Sequence, residues 1–368
     1  VAGETNAAGT EDMAAGAEVT EPKTRANAPS NGRQPWGARP VGTWVVFICS
    51  IGLVFERFRH GYEALWNPVS TMMFHPGKAP VFAHRLLFVG VAWVFRLINP
   101  ALKPLDCYFL SQIVALVWTF SMVGLLVREA VGIGTEYAAY PLLALMFMPT
   151  FGYFTFYDIG LVGFFAACLY CLLRGRERIF LVIFAIGLFN HENLLLMAPV
   201  AVLFKATGGD YRRAFQVAAS TLAIYGGSRL VLQLALPSDR QFDLRLAENL
   251  HPLNHYSVMT LLTTFAALLL PLCCVAVGFR YSHRLLRLAA PVVLLGLAAI
   301  VELFGQWHEP RQFDAMFGLA VPMFLSSAAG RTAARGTWRE LIRACYPVHE
   351  RHEADKHPDG PTLRFPCR

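Results

Sequence analysis

The chain has 368 residues, of which 55% are hydrophobic and only 15% charged, and its mean hydropathy is +0.43. A soluble fold does not need so many long uncharged runs, so composition places the chain among polytopic membrane proteins. The net charge of +7 does not indicate a nucleic-acid partner, because in a membrane chain the location of the Lys and Arg residues matters more than their sum.

Residues Val1 to Pro40 are rich in Ala, Gly, Glu, Thr, Pro and Asn, and are expected to be a disordered cytoplasmic tail. A cleaved secretory signal carries its apolar core near the start of the chain. The first apolar run here, Val41 to Phe55, begins later and is expected to stay as an anchor. A polar, aromatic stretch follows, FRHGYEALWNPVSTMMFHPGKAPVFAHR, too polar to span and too long for a turn. It carries His60, Glu63, His75, His84 and Arg85.

Leu86 to Phe95 is a run too short to cross a ~30 Å hydrocarbon core at ~1.5 Å per residue. It reads as an interfacial helix that returns to the side it came from. The runs Cys107 to Val127, Tyr137 to Phe151 and Gly160 to Leu173 read as helices, as do Ala214 to Leu236, Tyr256 to Phe279, Leu285 to Phe304 and Phe313 to Ser327. Between them, Ile179 to Leu203 is broken in the middle by Asn190, His191, Glu192 and Asn193. Each flank is half the length of a span, so the segment reads as a re-entrant pair with NHEN at its apex. The fold class expected is therefore all-α, a polytopic transmembrane helix bundle of about ten membrane elements. It would occupy residues 41–329, with a cytoplasmic C-terminal tail over 330–368.

Loop charges test that layout, since cytoplasmic loops collect Lys and Arg. With the N-terminus inside, the inner segments hold 22 of the 32 basic residues, including Arg174, Arg176 and Arg178, Lys205 with Arg212 and Arg213, and Arg280, Arg284 and Arg287. The count works only if Leu86 to Phe95 does not span and the NHEN segment turns back. Both half-length readings rest on length alone, so the agreement independently supports a topology with both termini cytoplasmic.

On the outer face the unusual polar residues then converge: Glu63 and Arg85, Asp158 in FTFYDIG, His191 and Glu192, and His308, Glu309, Arg311 and Asp314 in GQWHEPRQFD. An ionisable group at bilayer depth is costly unless paired or facing water, so a Glu beside a His there either lines a site or locks two helices together. His191-Glu192 and His308-Glu309 begin like the zinc-protease HExxH, but Leu195 and Gln312 stand where the second His would be. No GxxxxGK[ST] or GxGxxG occurs, which argues against an ATP-driven machine. The membrane-run cysteines Cys49, Cys107, Cys168, Cys171, Cys273 and Cys274 read as small hydrophobes. Cys345 and Cys367, with the tail histidines, fit no zinc spacing, so no metal site is assigned.

The order of parts resembles the GT-C type of membrane glycosyltransferase, in particular the polyprenyl-phosphate-dependent mannosyl and arabinosyl transferases. The likeness is carried by HGYEALW, APVFAHRLLF, FYD, FNHENLLLMAP and HEPRQFD, and spans roughly Val41 to Ser327. It implies transfer of a sugar from a lipid-linked, polyprenyl-phosphate donor to an acceptor on the outer face, with membrane lipids as surroundings. By this resemblance Glu63 is the catalytic base, although the family more often has Asp, frequently as an acidic pair. Arg85 and Arg311 are expected to hold the departing phosphate, and Asp158, His191, Glu192, His308 and Glu309 to contact sugar or acceptor. No cofactor is implied, and a divalent-cation requirement stays open.

The residues themselves leave alternatives. Glu63 also reads as a solvated loop carboxylate, and Arg311 as an ion-pair partner of Glu309 or Asp314. A transporter or lipid flippase also uses broken helices with polar apices, although no internal repeat is found here. A non-enzymatic membrane assembly protein is the third class.

Overall fold

The computed structural model describes residues 41–61, 85–132, 135–150, 156–235, 249–251, 257–304 and 310–327. These fall within one unit, Val41–Arg368, and among them there is no strand. Glu63, His308, Glu309 and both tails lie outside the described residues, and Arg311 is described in its backbone only.

Among the described residues eleven α-helices form: α1 (Val41–Gly61), α2 (Leu86–Ile98), α3 (Pro104–Ala130), α4 (Glu136–Phe147), α5 (Phe156–Leu173), α6 (Glu177–Leu188), α7 (Met197–Ala206), α8 (Tyr211–Ala235), α9 (Val258–Gly278), α10 (Arg284–Phe304) and α11 (Phe317–Ser326). Among the described residues, three are long and apolar enough to cross a membrane, namely α3, α9 extended to Tyr281, and α10. This is an α-helical membrane protein by length and composition. The helix α2 has 13 residues, α6 has 12 and α7 has 10. At ~1.5 Å per residue each covers only about half of a ~30 Å hydrocarbon core.

A helix that stops inside the apolar layer leaves backbone groups that water cannot satisfy, so something in the protein must. The structure solves this by joining one stub to another. The Leu87 N–H, in the first turn of α2, donates to the carbonyl of Phe189, which caps α6, at 3.1 Å. Hydroxyls on the long α3 add further bonds, to carbonyls in the first turns of α2 and α5. Ser111 donates to the Phe88 carbonyl at 2.7 Å and Thr119 to the Ile159 carbonyl at 2.6 Å.

The helix over the Leu86 to Phe95 run is longer than expected. It continues past Arg96 to Ile98 and turns through Asn99–Lys103 into α3. It then lies along the first half of α3 as one arm of a hairpin, with Phe88, Val89 and Ala92 buried. At its entry α2 finds partners within the protein, the Phe189 carbonyl after α6 and the Ser111 hydroxyl of α3. The chain between α6 and α7 does double back. Glu177 at the start of α6 forms an ion pair with Lys205 at the end of α7, closing the pair at its base.

Close backbone approach holds the other helices. A Cβ on Gly278, at the end of α9, would lie 2.0 Å from the Met323 carbonyl oxygen of α11, so only a residue without one fits. Between α1, α3, α4 and α11, Phe47, Phe120, Tyr140, Phe147 and Phe317 form a run of ring contacts with centroids 5.1 to 6.4 Å apart.

The basic turns gather at one end of these helices. Arg174 after α5 pairs with Glu129 of α3 at 2.8 Å, Lys205 pairs with Glu177, and Arg284 of α10 donates to the Thr207 carbonyl after α7. The NHEN apex and the start of α5 lie at the other ends of the same helices.

Candidate functional site at the re-entrant apex

Three stretches far apart in sequence meet at the apex: Arg85 just before α2, Asp158 in the first turn of α5, and Asn190–Asn193 between α6 and α7. The break arises locally. His191 adopts an extended backbone with φ −160 and ψ 132, and its Nδ1 accepts the Asn193 N–H at 3.1 Å. The side chain thereby caps the short 3-10 helix Glu192–Leu196, where the direction of the chain reverses. Asn190, His191 and Asn193 are all buried.

With Nδ1 accepting, the proton of a neutral imidazole belongs on Nε2. That nitrogen lies 3.8 Å from Asp158 Oδ1, a charge contact rather than a hydrogen bond. Asp158 is buried too, and as an acid in the first turn of α5 it sits where the helix dipole favours a negative charge. On the other side, His191 Nδ1 lies 3.8 Å from Glu192 Oε2.

Glu192 engages Arg85 by two contacts, Nη2 to Oε1 at 2.8 Å and Nε to Oε2 at 3.4 Å. A guanidinium preceding a helix N-terminus faces the unfavourable end of the dipole, and an anion nearby offsets this. Glu192 is that anion. Its side chain is 40% exposed against 16% for Arg85, so the pair opens outward while the His191–Asp158 pair is enclosed. The result is a row of neighbouring groups, Asp158, His191, Glu192, Arg85, in which Glu192 holds the guanidinium in place.

The turn Pro310–Met316, which carries the backbone of Arg311, packs against α5, and its Asp314 is fully buried. Beyond it, Gly318 approaches the Val162 carbonyl, so the start of α11 lies along the first turns of α5. Of the residues singled out in the sequence, Arg85, Asp158, His191 and Glu192 thus come together. Ser111 and Thr119 were missed. They fix the carbonyls beside Arg85 and Asp158, and their only sequence signal is a hydroxyl in an apolar helix, which reads equally well as bonding to its own helix.

Among the described residues no group of three His, Cys, Asp or Glu side chains is arranged to hold a metal ion. The chain matches no protein-family model, no characterised protein and no solved structure.

Proposed function

We propose that this chain is a membrane glycosyltransferase of the GT-C kind, moving a sugar from a polyprenyl-phosphate donor to an acceptor hydroxyl on the outer face of the membrane. The observation that carries the reading is the meeting of Arg85, Asp158, His191 and Glu192 from three separate segments at the re-entrant apex. In the reaction Glu63 takes the acceptor proton as its oxygen bonds to the sugar carbon. The bond from that carbon to the phosphate oxygen breaks, and cations hold the departing phosphate, which needs charge stabilisation rather than protonation. Arg311 and Arg85 are assigned that task, with Arg85 sharing its charge with Glu192. Asp158, His191 and Glu192 present acceptors and a donor that sugar hydroxyls can use, and His308 and Glu309 are assigned to the same contacts.

The test is transfer by reconstituted protein supplied with candidate polyprenyl-linked sugars, comparing the native chain with Glu63→Gln. Loss of sugar consumption in a folded variant supports the assignment of Glu63, and unchanged transfer refutes it. A second reading, a transporter or lipid flippase, is favoured by the break between α6 and α7, since half-helix ends also build midplane substrate sites. That reading expects lipid-linked sugar to change leaflets without being consumed.

A further inference from the structure

At the opposite ends of the helices the turn from α5 into α6 opens a groove of about 440 Å³, lined by Gly175, Arg176, Glu177, Arg178, Ile179 and Arg213. Its charges are of two sorts. Glu177 is taken by Lys205, and Arg213 lies 3.3 Å from Asp210 in an exposed pair. Arg176 and Arg178 are exposed and have no ion-pair partner among the described residues. Two unneutralised guanidinium groups beside a cavity suit phosphate oxygens, which the planar fork can hold in pairs.

The surface next to the groove decides what kind of phosphate. From Ile179 a stripe runs along one face of α6, with Ile179 46%, Val182 57% and Ile186 44% exposed. The spacing of three and four residues keeps them in line on the helix, while Phe180 and Phe184 on the other face are buried. A free phosphate ion has no use for such a track. A molecule with an anionic head and a hydrocarbon tail matches both parts.

We infer that the groove at the α5–α6 turn is a binding site for an anionic phospholipid, its headgroup phosphate against Arg176 and Arg178 and an acyl chain along Ile179, Val182 and Ile186. Basic residues beside a membrane helix attract anionic headgroups, an attraction that salt screens. This site is independent of the enzyme reading, since it uses none of the apex residues.

The probe is native mass spectrometry of the full chain in nonionic detergent, titrated with phosphatidylglycerol or with phosphatidylcholine. The expected result is retention of phosphatidylglycerol about tenfold above phosphatidylcholine, weakening as salt rises from about 50 mM to about 500 mM. The double variant R176Q/R178Q loses the preference, and Glu177→Gln, which removes the one carboxylate of the groove, strengthens it. Equal retention of both lipids by the native chain overturns the inference, as does an undiminished preference in R176Q/R178Q. Should that variant unfold, Glu177→Gln stands alone, and unchanged retention there overturns it too. Displacement of the lipid by inorganic phosphate at equal concentration refutes it in favour of a free-phosphate site.

Discussion

Two histidines show how differently the two ends of the helices use the same local device. His191 at the apex accepts the N–H of Asn193 through Nδ1, and His283 before α10 accepts the N–H of Leu285 through Nδ1, each at 3.1 Å and each two residues on. Both rings cap the start of a helical turn. Their electrostatic surroundings are opposite. His191 is enclosed between Asp158 and Glu192, whereas His283 stands beside Arg284 and Arg287, and burial together with those arginines holds its pKa below the ordinary value. At the apex the charges answer one another inside the protein. At the basic end Arg176 and Arg178 are exposed and have no ion-pair partner among the described residues, although Arg174, Lys205 and Arg213 are paired.

That contrast is one of charge, not of packing, and the largest expected effect tests this. At the basic end Gly278→Ala would drive a methyl group into the Met323 carbonyl, where neither backbone can yield without moving a helix. Thermal unfolding in detergent should show a loss of about 3 kcal/mol or more. A loss of a few tenths would mean that the two helices are loosely held there.

Next comes the apex pair. Arg85→Ala strands Glu192 beside a buried imidazole, and with Glu192 side chain 40% exposed the expected cost is about 2 kcal/mol, below that of a fully buried pair. Arg85→Ala combined with Glu192→Ala should be less destabilised than the sum of the two single variants, by about 1 kcal/mol. Additive losses would mean that Arg85 and Glu192 act independently despite their contact.

A smaller effect separates the histidines by pH. The folded-state pKa of His283 lies below its unfolded value, so the unfolded chain binds the extra proton first. Stability from this group is present at neutral pH and is lost as pH falls through the unfolded pKa toward the folded one. His283→Gln should flatten the fall in unfolding temperature between about pH 7 and about pH 5, and an unaltered slope would remove His283 from the account. Least of all, R176Q/R178Q should change stability by no more than about 0.5 kcal/mol, because these exposed side chains have no partner to lose.

The sequence revealed the helices better than it revealed their meeting points. Runs of apolar residues are local, so their positions and the half-length of α6 and α7 could be read from spacing alone. So could the gathering of Arg174, Lys205 and Arg284 at one end, because loop charge is also local. What stayed hidden was the pairing of Arg85 with Glu192 across 107 residues, which depends on two helix stubs meeting end to end. For the same reason Arg85 read as a cation for a phosphate, with no sign in the sequence that Glu192 shares it. The end of α2 was misjudged because Arg96 looks like a boundary, yet its long side chain can reach away from an apolar face while the helix continues.

One main-chain bond has a further bearing on how the apex behaves. Since the Leu87 amide donates to the carbonyl of Phe189, the backbone next to Arg85 and the backbone next to Asn190 are tied main chain to main chain, with no side chain between them. Substituting either residue therefore leaves the tie itself in place.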